Sequence, residues 1–260
     1  MLFLFPPNPL FSSLYWVVFS GFYLLPMIAN LQTALSDRRF GGGFLRGCLA
    51  SLLLLLTLCT LAATLDTASM QNKMVSRFGS ARIVLLNNWF QLIAAGQSLT
   101  DEERIKRIND FFNQFIQFEA DITVWQQTDY WATPLETMGQ GRGDCEDFAI
   151  AKYYSLRLAG VPVAKMRLIY VKANRGNGPE AHMVLAYYAS PTADPVILDN
   201  LESAIRPASQ RSDLTPVFSF NSQGIYAGVG GTEKASAGGT GRLSRWEDLM
   251  RRARAEGFVD

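Results

Sequence analysis

The stretch "GRGDCEDFAIAKYYSLRLAG", residues 141–160, decides the fold of the chain. From position 144 onward it mixes apolar residues at helical spacing, and the Gly-x-Pro sequence from Gly160 to Pro162 stops the pattern, so it predicts a helix over 144–160. Cys145 then lies in the first turn of that helix. Free backbone amides and the helix dipole at such a position favour a thiolate, which is the nucleophilic form of cysteine.

Three acids surround this cysteine, namely Asp144, Glu146 and Asp147. Like-charge repulsion from them should raise the pKa of Cys145 and oppose the helix dipole. One interpretation is that acids simply favour a helix N-terminus. The alternative is a metal site in which these three carboxylates bind a hard cation. Calcium prefers oxygen ligands, whereas zinc would require His or Cys side chains that the chain cannot spare.

Bound calcium would cancel the repulsion at the cysteine and hold the glycine-rich turn before it. Three side chains are too few for the six to eight oxygens that calcium takes, so backbone carbonyls or water would complete the shell.

The composition of the chain excludes one class of function. The 260 residues include 24 Lys and Arg against 23 Asp and Glu, which gives a net charge of +1. This balance offers no electrostatic basis for nucleic-acid binding. The length suffices for one or at most two compact domains.

Apolar residues concentrate in the region 1–65, which contains two apolar runs. Residues 10–31 have nearly the length of a membrane-spanning segment, although Pro26 interrupts them. Residues 48–63 follow arginines and lead into small residues, the layout of an export signal. Either translation starts after the first run, or a spanning segment precedes the signal. In both cases residues 66–260 are expected to leave the cytoplasm as one domain.

The cysteines are distributed so that no disulfide framework is expected. Cys48 and Cys59 lie inside the second apolar run, which leaves Cys145 alone in the exported part. A single thiol in an oxidising compartment is prone to damage or pairing, so its presence requires an explanation. Taken alone, such a cysteine is more often a small buried apolar residue than a nucleophile.

The remaining pattern predicts helices before strands. Helices are expected at 81–96, at 98–118 with a capping box of Thr100 and Glu103, and at the C-terminal 244–257; strands at 166–173, 182–189 and 195–201; an irregular loop at 122–143; and a mobile loop at 228–241. The apolar stripe of the second helix, Ile105, Ile108, Phe112, Phe115 and Ile116, is expected to face the core. The order indicates an α+β fold with helices packed on a small antiparallel sheet.

Cys145 has one candidate base, because the chain contains a single histidine. His182 opens the second predicted strand, and Asp199 lies at the end of the third. If these strands are neighbours, the Asp199 carboxylate can orient the imidazole beside the thiol. The pattern therefore predicts a Cys-His-Asp triad. Trp125, Tyr130 and Trp131 either wall its cleft or anchor the core.

The amino-acid sequence around Cys145 and in the predicted strands also resembles a known family. "DYWATPLETMGQGRGDCEDFAIAKYYSLRLAGVP", followed by "RLIYV", "AHMVLAYY" and "ILDNL", is similar to the bacterial transglutaminase-like cysteine proteinases of the LapG type. The resemblance implies a papain/transglutaminase-like core, a triad of Cys145, His182 and Asp199, and a bound calcium ion.

It further implies a periplasmic protease that cleaves a large surface adhesin near its N-terminus at a pair of alanines and so releases cells from a biofilm. An inner-membrane receptor for cyclic di-GMP is the implied regulator, which sequesters the protease. The long apolar N-terminus departs from the family pattern, so tethering to the inner membrane stays open.

Two other kinds of function fit the same residues. A transglutaminase or a cell-wall amidase would use the same triad with another substrate or acyl acceptor, and amine incorporation would distinguish the transglutaminase from a proteinase. A calcium-binding interaction module without catalysis would keep all function after Cys145→Ala. The proteinase is the preferred interpretation.

Overall fold

A computed structural model describes residues 65–176, 178–227 and 240–258. The helices within these ranges are α1 Thr67–Phe78, α2 Ile83–Gly96, α3 Asp101–Phe115, α4 Asp121–Val124, α5 Pro134–Gln140, α6 Cys145–Leu158 and α7 Thr240–Glu256. The strands are β1 Gln117–Phe118, β2 Arg142–Gly143, β3 Met166–Asn174, β4 Pro179–Tyr187, β5 Val196–Leu198, β6 Arg206–Pro207, β7 Leu214–Asn221 and β8 Gly224–Ala227.

The capping box at the start of α3 is confirmed. Thr100 Oγ1 accepts from the Glu103 amide at 3.3 Å, and Glu103 Oε2 accepts from the Thr100 amide at 3.0 Å. Four members of the apolar stripe are buried, as predicted. The prediction is wrong for Phe115, the last residue of α3, which is 44% exposed and packs on Phe111 with ring centroids 5.1 Å apart.

The prediction of an irregular loop over 122–143 is wrong, because the segment contains α5. Thr133 Oγ1 accepts from the Glu136 amide and Glu136 accepts from the Thr133 amide, which is a second capping box, and Pro134 occupies the first helical position. Gly141 ends α5 with φ +67°, a conformation that favours glycine. These local signals are as strong as those before α3. Helix α1 was likewise not predicted from the sequence.

The main sheet has the strand order β6-β5-β4-β3-β7-β8 and is antiparallel throughout. The three predicted strands correspond to β3, β4 and β5, whereas the three other strands of this sheet were missed. The hairpin register pairs Asn174 with Pro179, so β4 begins three residues before His182 and this histidine lies within the strand. The pairing of β4 with β5 is confirmed.

Helix α6 crosses one face of this sheet and forms the centre of the core. Its residues Ile150, Tyr153 and Leu156 are completely buried against the sheet and the other helices. The opposite face carries a smaller apolar cluster, formed by Ile169, Val171, Val184, Ala186, Tyr188 and Ile197. The arrangement confirms the predicted α+β fold of helices on an antiparallel sheet with Cys145 at a helix N-terminus.

An ion network joins helices α1, α5 and α7. Glu136 accepts hydrogen bonds from Arg77 at 2.6 Å and from Arg252 at 2.5 Å. Glu256, at the end of α7, accepts from Thr133 Oγ1 at 2.5 Å and from Arg77. These contacts hold α5 in place, and α5 leads directly into the turn before Cys145.

Within the described residues, no helix has the length and apolar character needed to cross a membrane. The apolar runs at 10–31 and 48–63 lie outside the described residues, and so does most of the loop predicted at 228–241. These predictions, and the proposed domain boundary at residues 65 and 66, stay predictions.

Candidate active site

Cys145 is the first residue of α6, and the preceding Asp144 has an extended backbone. The half-buried thiol donates a hydrogen bond to Glu146 Oε2 at 2.6 Å, and the backbone N–H of Met183 donates to the sulfur. Because Met183 follows His182 directly, the thiol lies against β4 at the position of the histidine. Helix α6 thus places the thiol against the backbone of β4, next to His182 in the sequence.

The electrostatic surroundings of the thiol disfavour its ionised form. Burial raises the pKa of Cys145 well above its usual value, and the Glu146 and Asp144 carboxylates raise it further. The N–H of Met183 acts in the opposite direction but does not outweigh them. The sequence predicts that the helix N-terminus favours the thiolate and that the neighbouring acids disfavour it, and the fold contains both features.

His182 and Asp199 form a buried pair. The distance between His182 Nε2 and Asp199 Oδ1 is 2.8 Å, and the two residues are 3% and 2% exposed. His182 belongs to β4 and Asp199 directly follows β5, so the pairing of these adjacent strands creates the contact. Because Nε2 is engaged with the carboxylate, Nδ1 is the ring nitrogen left to exchange a proton with a thiol.

Asp199 is held ionised by its partners. Its Oδ1 also accepts the Leu201 amide at 3.0 Å, and Oδ2 accepts Arg211 Nη2 at 2.8 Å. Burial alone raises the pKa of Asp199, but the hydrogen bonds from His182, Leu201 and Arg211 hold it well below its usual range. The carboxylate therefore orients the imidazole as a permanent anion.

The backbone of Asp199 is fixed from the helical side. Its carbonyl oxygen accepts from Lys152 Nζ at 3.0 Å and from Asn113 Nδ2 at 2.8 Å. Lys152 is fully buried in α6, and burial lowers its pKa to about 7. Sequence reasoning missed Lys152, Asn113 and Arg211, because nothing in their local sequence shows that they meet Asp199.

A cluster of carboxylates lies on the other side of the cysteine. Carboxylate oxygens of Asp121, Asp144 and Asp147 lie within 4.8 Å of one another. The Cys145 sulfur and carboxylate oxygens of Asp144 and Glu146 form a second group within the same distance. The predicted ligands Asp144, Glu146 and Asp147 therefore gather around the start of α6. Asp121, from α4, is an additional member that sequence reasoning missed, since it lies beyond the motif.

This cluster has no cation of its own among the described residues to balance it. One buried oxygen each of Asp121, Asp144 and Asp147 has no hydrogen-bond partner. Burial is the main cause that raises the pKa of Asp144 to about 10, and repulsion from the neighbouring carboxylates contributes to the rise. Burial likewise raises the pKa of Asp121 to about 6 and that of Asp147 well above its usual value.

Such groups fit a hard cation. Unpaired buried carboxylate oxygens that converge on one point are unfavourable alone, and they match the all-oxygen ligand set of calcium. The residues that would hold the ion are Asp121, Asp144 and Asp147, with Glu146 at the edge beside the thiol.

The glycine-rich turn makes room for this cluster. A side chain at Gly143 would place its Cβ 2.5 Å from Asp147 Oδ2, so only glycine permits the carboxylate to lie there. Asp147 Oδ1 accepts the Ala132 amide at 2.8 Å, which ties the cluster to the segment before α5. The turn thus serves to position acids as well as to begin the helix.

The three aromatic residues before the turn have different roles. Trp131 is 3% exposed and stacks on Phe220 with ring centroids 5.7 Å apart, so it belongs to the core. Trp125 and Tyr130 are half-buried and pack on each other at 4.7 Å. The amide of Tyr130 donates to Asp121 Oδ2, so this aromatic pair borders the acid cluster.

Comparisons with known proteins agree with this geometry. The family model of the bacterial transglutaminase-like cysteine proteinases (BTLCP) matches residues 93–214. Solved structures of Legionella pneumophila LapG are 36% identical to this chain over 72% of its length. The TM-score is 0.60 for one structure and 0.62 for an EGTA-treated form, and the match covers 96% of each of these two chains. For a calcium-bound form the TM-score is 0.60, and the match covers 98% of that chain. Among curated protein sequences, none matches this chain.

Proposed function

The chain belongs to the bacterial transglutaminase-like cysteine proteinases, and we propose that it is a calcium-dependent endopeptidase with Cys145 as its nucleophile. The observation that carries the proposal is the buried 2.8 Å contact between His182 and Asp199, next to a thiol at a helix N-terminus. This arrangement supplies a nucleophile, a base and an orienting carboxylate in the order that acyl transfer requires.

In the proposed reaction, His182 Nδ1 accepts the proton of the Cys145 thiol, and the sulfur attacks the carbonyl carbon of the scissile peptide bond. Backbone N–H groups at the start of α6, including that of Cys145, stabilise the negative charge that develops on the carbonyl oxygen. The protonated His182 then donates its proton to the leaving amine. Water hydrolyses the thioester with His182 again as base, which releases the acid and restores the thiol.

Asp199 keeps the imidazole oriented and stabilises its charged form throughout. Before the first step, the thiol must turn away from Glu146, which accepts a hydrogen bond from it in the structure. When bound, calcium supplies the positive charge that neutralises Asp121, Asp144 and Asp147. Calcium would also compete for the Glu146 carboxylate, whose position beside the thiol relates the acid cluster to the nucleophile.

We propose further that the substrate is a large surface adhesin, cleaved near its N-terminus at a dialanine site with release of cells from a biofilm. The proposed location is the periplasm, free or tethered by the N-terminal apolar region, and the proposed regulator is an inner-membrane cyclic di-GMP receptor. Support comes from the export signal predicted at 48–63 and from the resemblance of the motif around Cys145 to the LapG type. Fractionation of cells and N-terminal sequencing of the mature protein test the location.

The decisive experiment compares the purified protein with its Cys145→Ala variant on an adhesin fragment that contains two adjacent alanines. We expect cleavage between the alanines in calcium and none in EGTA or with the variant. An intact substrate in the presence of folded, calcium-loaded wild-type protein would contradict the proposal. Incorporation of a labelled amine instead of hydrolysis would identify a transglutaminase.

A second comparison separates catalysis from calcium binding. Cys145→Ala removes the thiol but none of the carboxylates, so we expect it to bind calcium as the wild type does. Isothermal titration calorimetry on both proteins checks this expectation. Loss of calcium binding in the variant would show that the thiol itself holds the ion and would contradict the assigned role of nucleophile.

A further inference from the structure

Arg211 contacts the Asp199 carboxylate from the side opposite to His182. It lies in the connection between β6 and β7, directly after a short 3₁₀ turn at Ala208–Gln210. Its Nη2 donates to Asp199 Oδ2 at 2.8 Å, whereas His182 occupies Oδ1. Arg211 is only 6% exposed, so this ion pair is shielded from solvent.

The direction of the guanidinium is fixed by a second carboxylate. Asp213 Oδ1 accepts from Arg211 Nε at 2.9 Å, and Asp213 Oδ2 accepts from Nη2 at 2.8 Å. A paired contact of this kind constrains the planar guanidinium in both position and orientation. Asp213 is partly exposed, so it contributes orientation without being buried in the site.

Stability alone does not explain this arrangement. A buried ion pair is weak evidence for stabilisation, because apolar residues of similar volume often serve as well. Arg211 Nη1 is buried and has no hydrogen-bond partner among the described residues, so the contacts of the guanidinium are not optimised as a set. Arg211 also lines a cavity of about 320 Å³ on the far face of the sheet, where Ile169, Val184 and Ile197 are apolar neighbours.

We infer that Arg211 is a positioning residue, which acts through Asp199 to hold Oδ1 toward His182 Nε2. This inference rests on the proposed function, in which His182 is the base. Without the guanidinium, the carboxylate gains freedom to rotate about its Cβ–Cγ bond. The carboxylate would then keep His182 and the Leu201 amide as partners. Lys152 and Asn113 would still hold the backbone carbonyl of Asp199, which does not fix the rotation of the carboxylate.

Kinetics with calcium-loaded protein test the inference. Arg211→Met keeps an unbranched apolar stem, removes the charge and shortens the side chain. We expect kcat to fall about 10- to 100-fold, by analogy with the loss of the hydrogen-bond partner that orients a metal-binding side chain, with KM changed less than about twofold. Arg211→Lys should restore part of kcat, because an ammonium can still donate to Asp199.

The matched control is Arg206→Met. Arg206 lies in β6, five residues before Arg211, but it is exposed, and its partner is Glu202 at 3.8 Å rather than Asp199. We expect this variant to keep the wild-type kcat. An equal fall in kcat for both variants would overturn the inference, since it would reflect the loss of any arginine from this part of the chain.

His182 offers a readout that does not depend on activity, because it is the single histidine of the chain. Protein labelled with ¹⁵N-histidine therefore gives one set of imidazole signals. In the wild type we expect a proton on Nε2 and a downfield shift from its hydrogen bond to Asp199. Arg211→Met should weaken that shift and alter the balance of tautomers, whereas Arg206→Met should not.

The two readouts together distinguish the possible failures. If Arg211→Met leaves both kcat and the imidazole signals unchanged, Arg211 is only a structural ion pair and the inference is wrong. If Arg211→Met does not fold, Asp213→Asn keeps Arg211 and loosens its orientation, and a smaller change in the same signals is expected. If the wild type cleaves nothing, the proposed function fails, and the imidazole signals still decide whether Arg211 positions Asp199.

Discussion

Two sets of buried carboxylates flank Cys145, and their electrostatics are opposite. Asp199 has a hydrogen-bond partner on each oxygen and a pKa well below its usual range. Asp144, on the other flank, has an unpaired buried oxygen and a pKa raised to about 10. Burial raises the pKa on both flanks, so the difference comes from the partners.

The difference shows what each set of carboxylates requires. Asp199 receives a positive charge from Arg211 and hydrogen bonds from Arg211, His182 and the Leu201 amide, so it needs nothing from solution. The cluster of Asp121, Asp144 and Asp147 receives backbone hydrogen bonds but no cation from the described residues. An ion from solution would complete the second set and leave the first unchanged.

The largest effect is expected from Asp199→Asn. The amide keeps the shape of the side chain but cannot stabilise the imidazolium, and it favours the wrong tautomer of His182. We expect kcat to fall by about 10³- to 10⁴-fold, the scale known for triad carboxylates. Calcium affinity, measured by calorimetry, should not change. A change in affinity would show that the two sets of carboxylates are not independent.

Calcium should stabilise the folded protein through the unpaired cluster. At a free concentration of 100 times Kd, a ligand specific for the folded state contributes about 2.7 kcal/mol to the free energy of unfolding. Denaturant unfolding in calcium and in EGTA measures this difference. Asp144→Asn should reduce it, whereas Arg206→Met should leave it as it is. An unchanged midpoint in EGTA would contradict the metal site.

The pH dependence of stability should change sign with calcium. In EGTA, the raised pKa of Asp121, about 6 against 3.8, means that the folded state holds this proton more tightly than the unfolded state. Its contribution is complete below pH 3.8 and is lost as the pH rises through about 6. In calcium, protons compete with the ion, so stability should rise with pH instead.

Unfolding of wild type and Asp121→Asn between pH 5 and 8, with and without calcium, checks this expectation. The asparagine variant has no carboxylate to titrate at this position, so its difference from wild type isolates the contribution of Asp121. Parallel pH profiles for the two proteins in EGTA would show that Asp121 does not titrate as its surroundings indicate.

The smallest effect is expected from Asp110→Asn on the exposed side of α3. Asp110 accepts from Lys106 at 2.6 Å, but both side chains are more than half exposed. Such pairs contribute about 0.2–1 kcal/mol, so stability should change within that range and kcat should not change. A larger loss of stability would show that an exposed partner contributes as much as a buried one, contrary to the weak effect expected in solvent.

Local sequence was sufficient for the elements that carry the proposed triad. The helix after the glycine-rich turn, the capping box at Thr100 and the strands near His182 and Asp199 depend on spacing and turn chemistry, which are visible in a short window. The same kind of signal is present at Thr133 and Glu136, so local sequence is also sufficient to predict α5 within 122–143.

Other parts of the site depend on contacts between distant segments. Asp121 joins the acids near Cys145 from a separate helix, and Arg211 reaches Asp199 from the connection beyond β6. Lys152 looks like an ordinary polar residue of α6 until the fold places it under the Asp199 carbonyl. No periodicity or motif reports such distances, because they arise only when helices and strands pack.

The sequence by itself determined the residue types of the site: one cysteine outside the apolar N-terminus, one histidine, and acids on both sides of the thiol. Only the tertiary structure decided which acids have partners. Burial raises the pKa of any carboxylate, and whether an arginine, an amide or no partner meets it depends on how the chain packs. Asp199 became an orienting anion and Asp144 a candidate metal ligand for that reason.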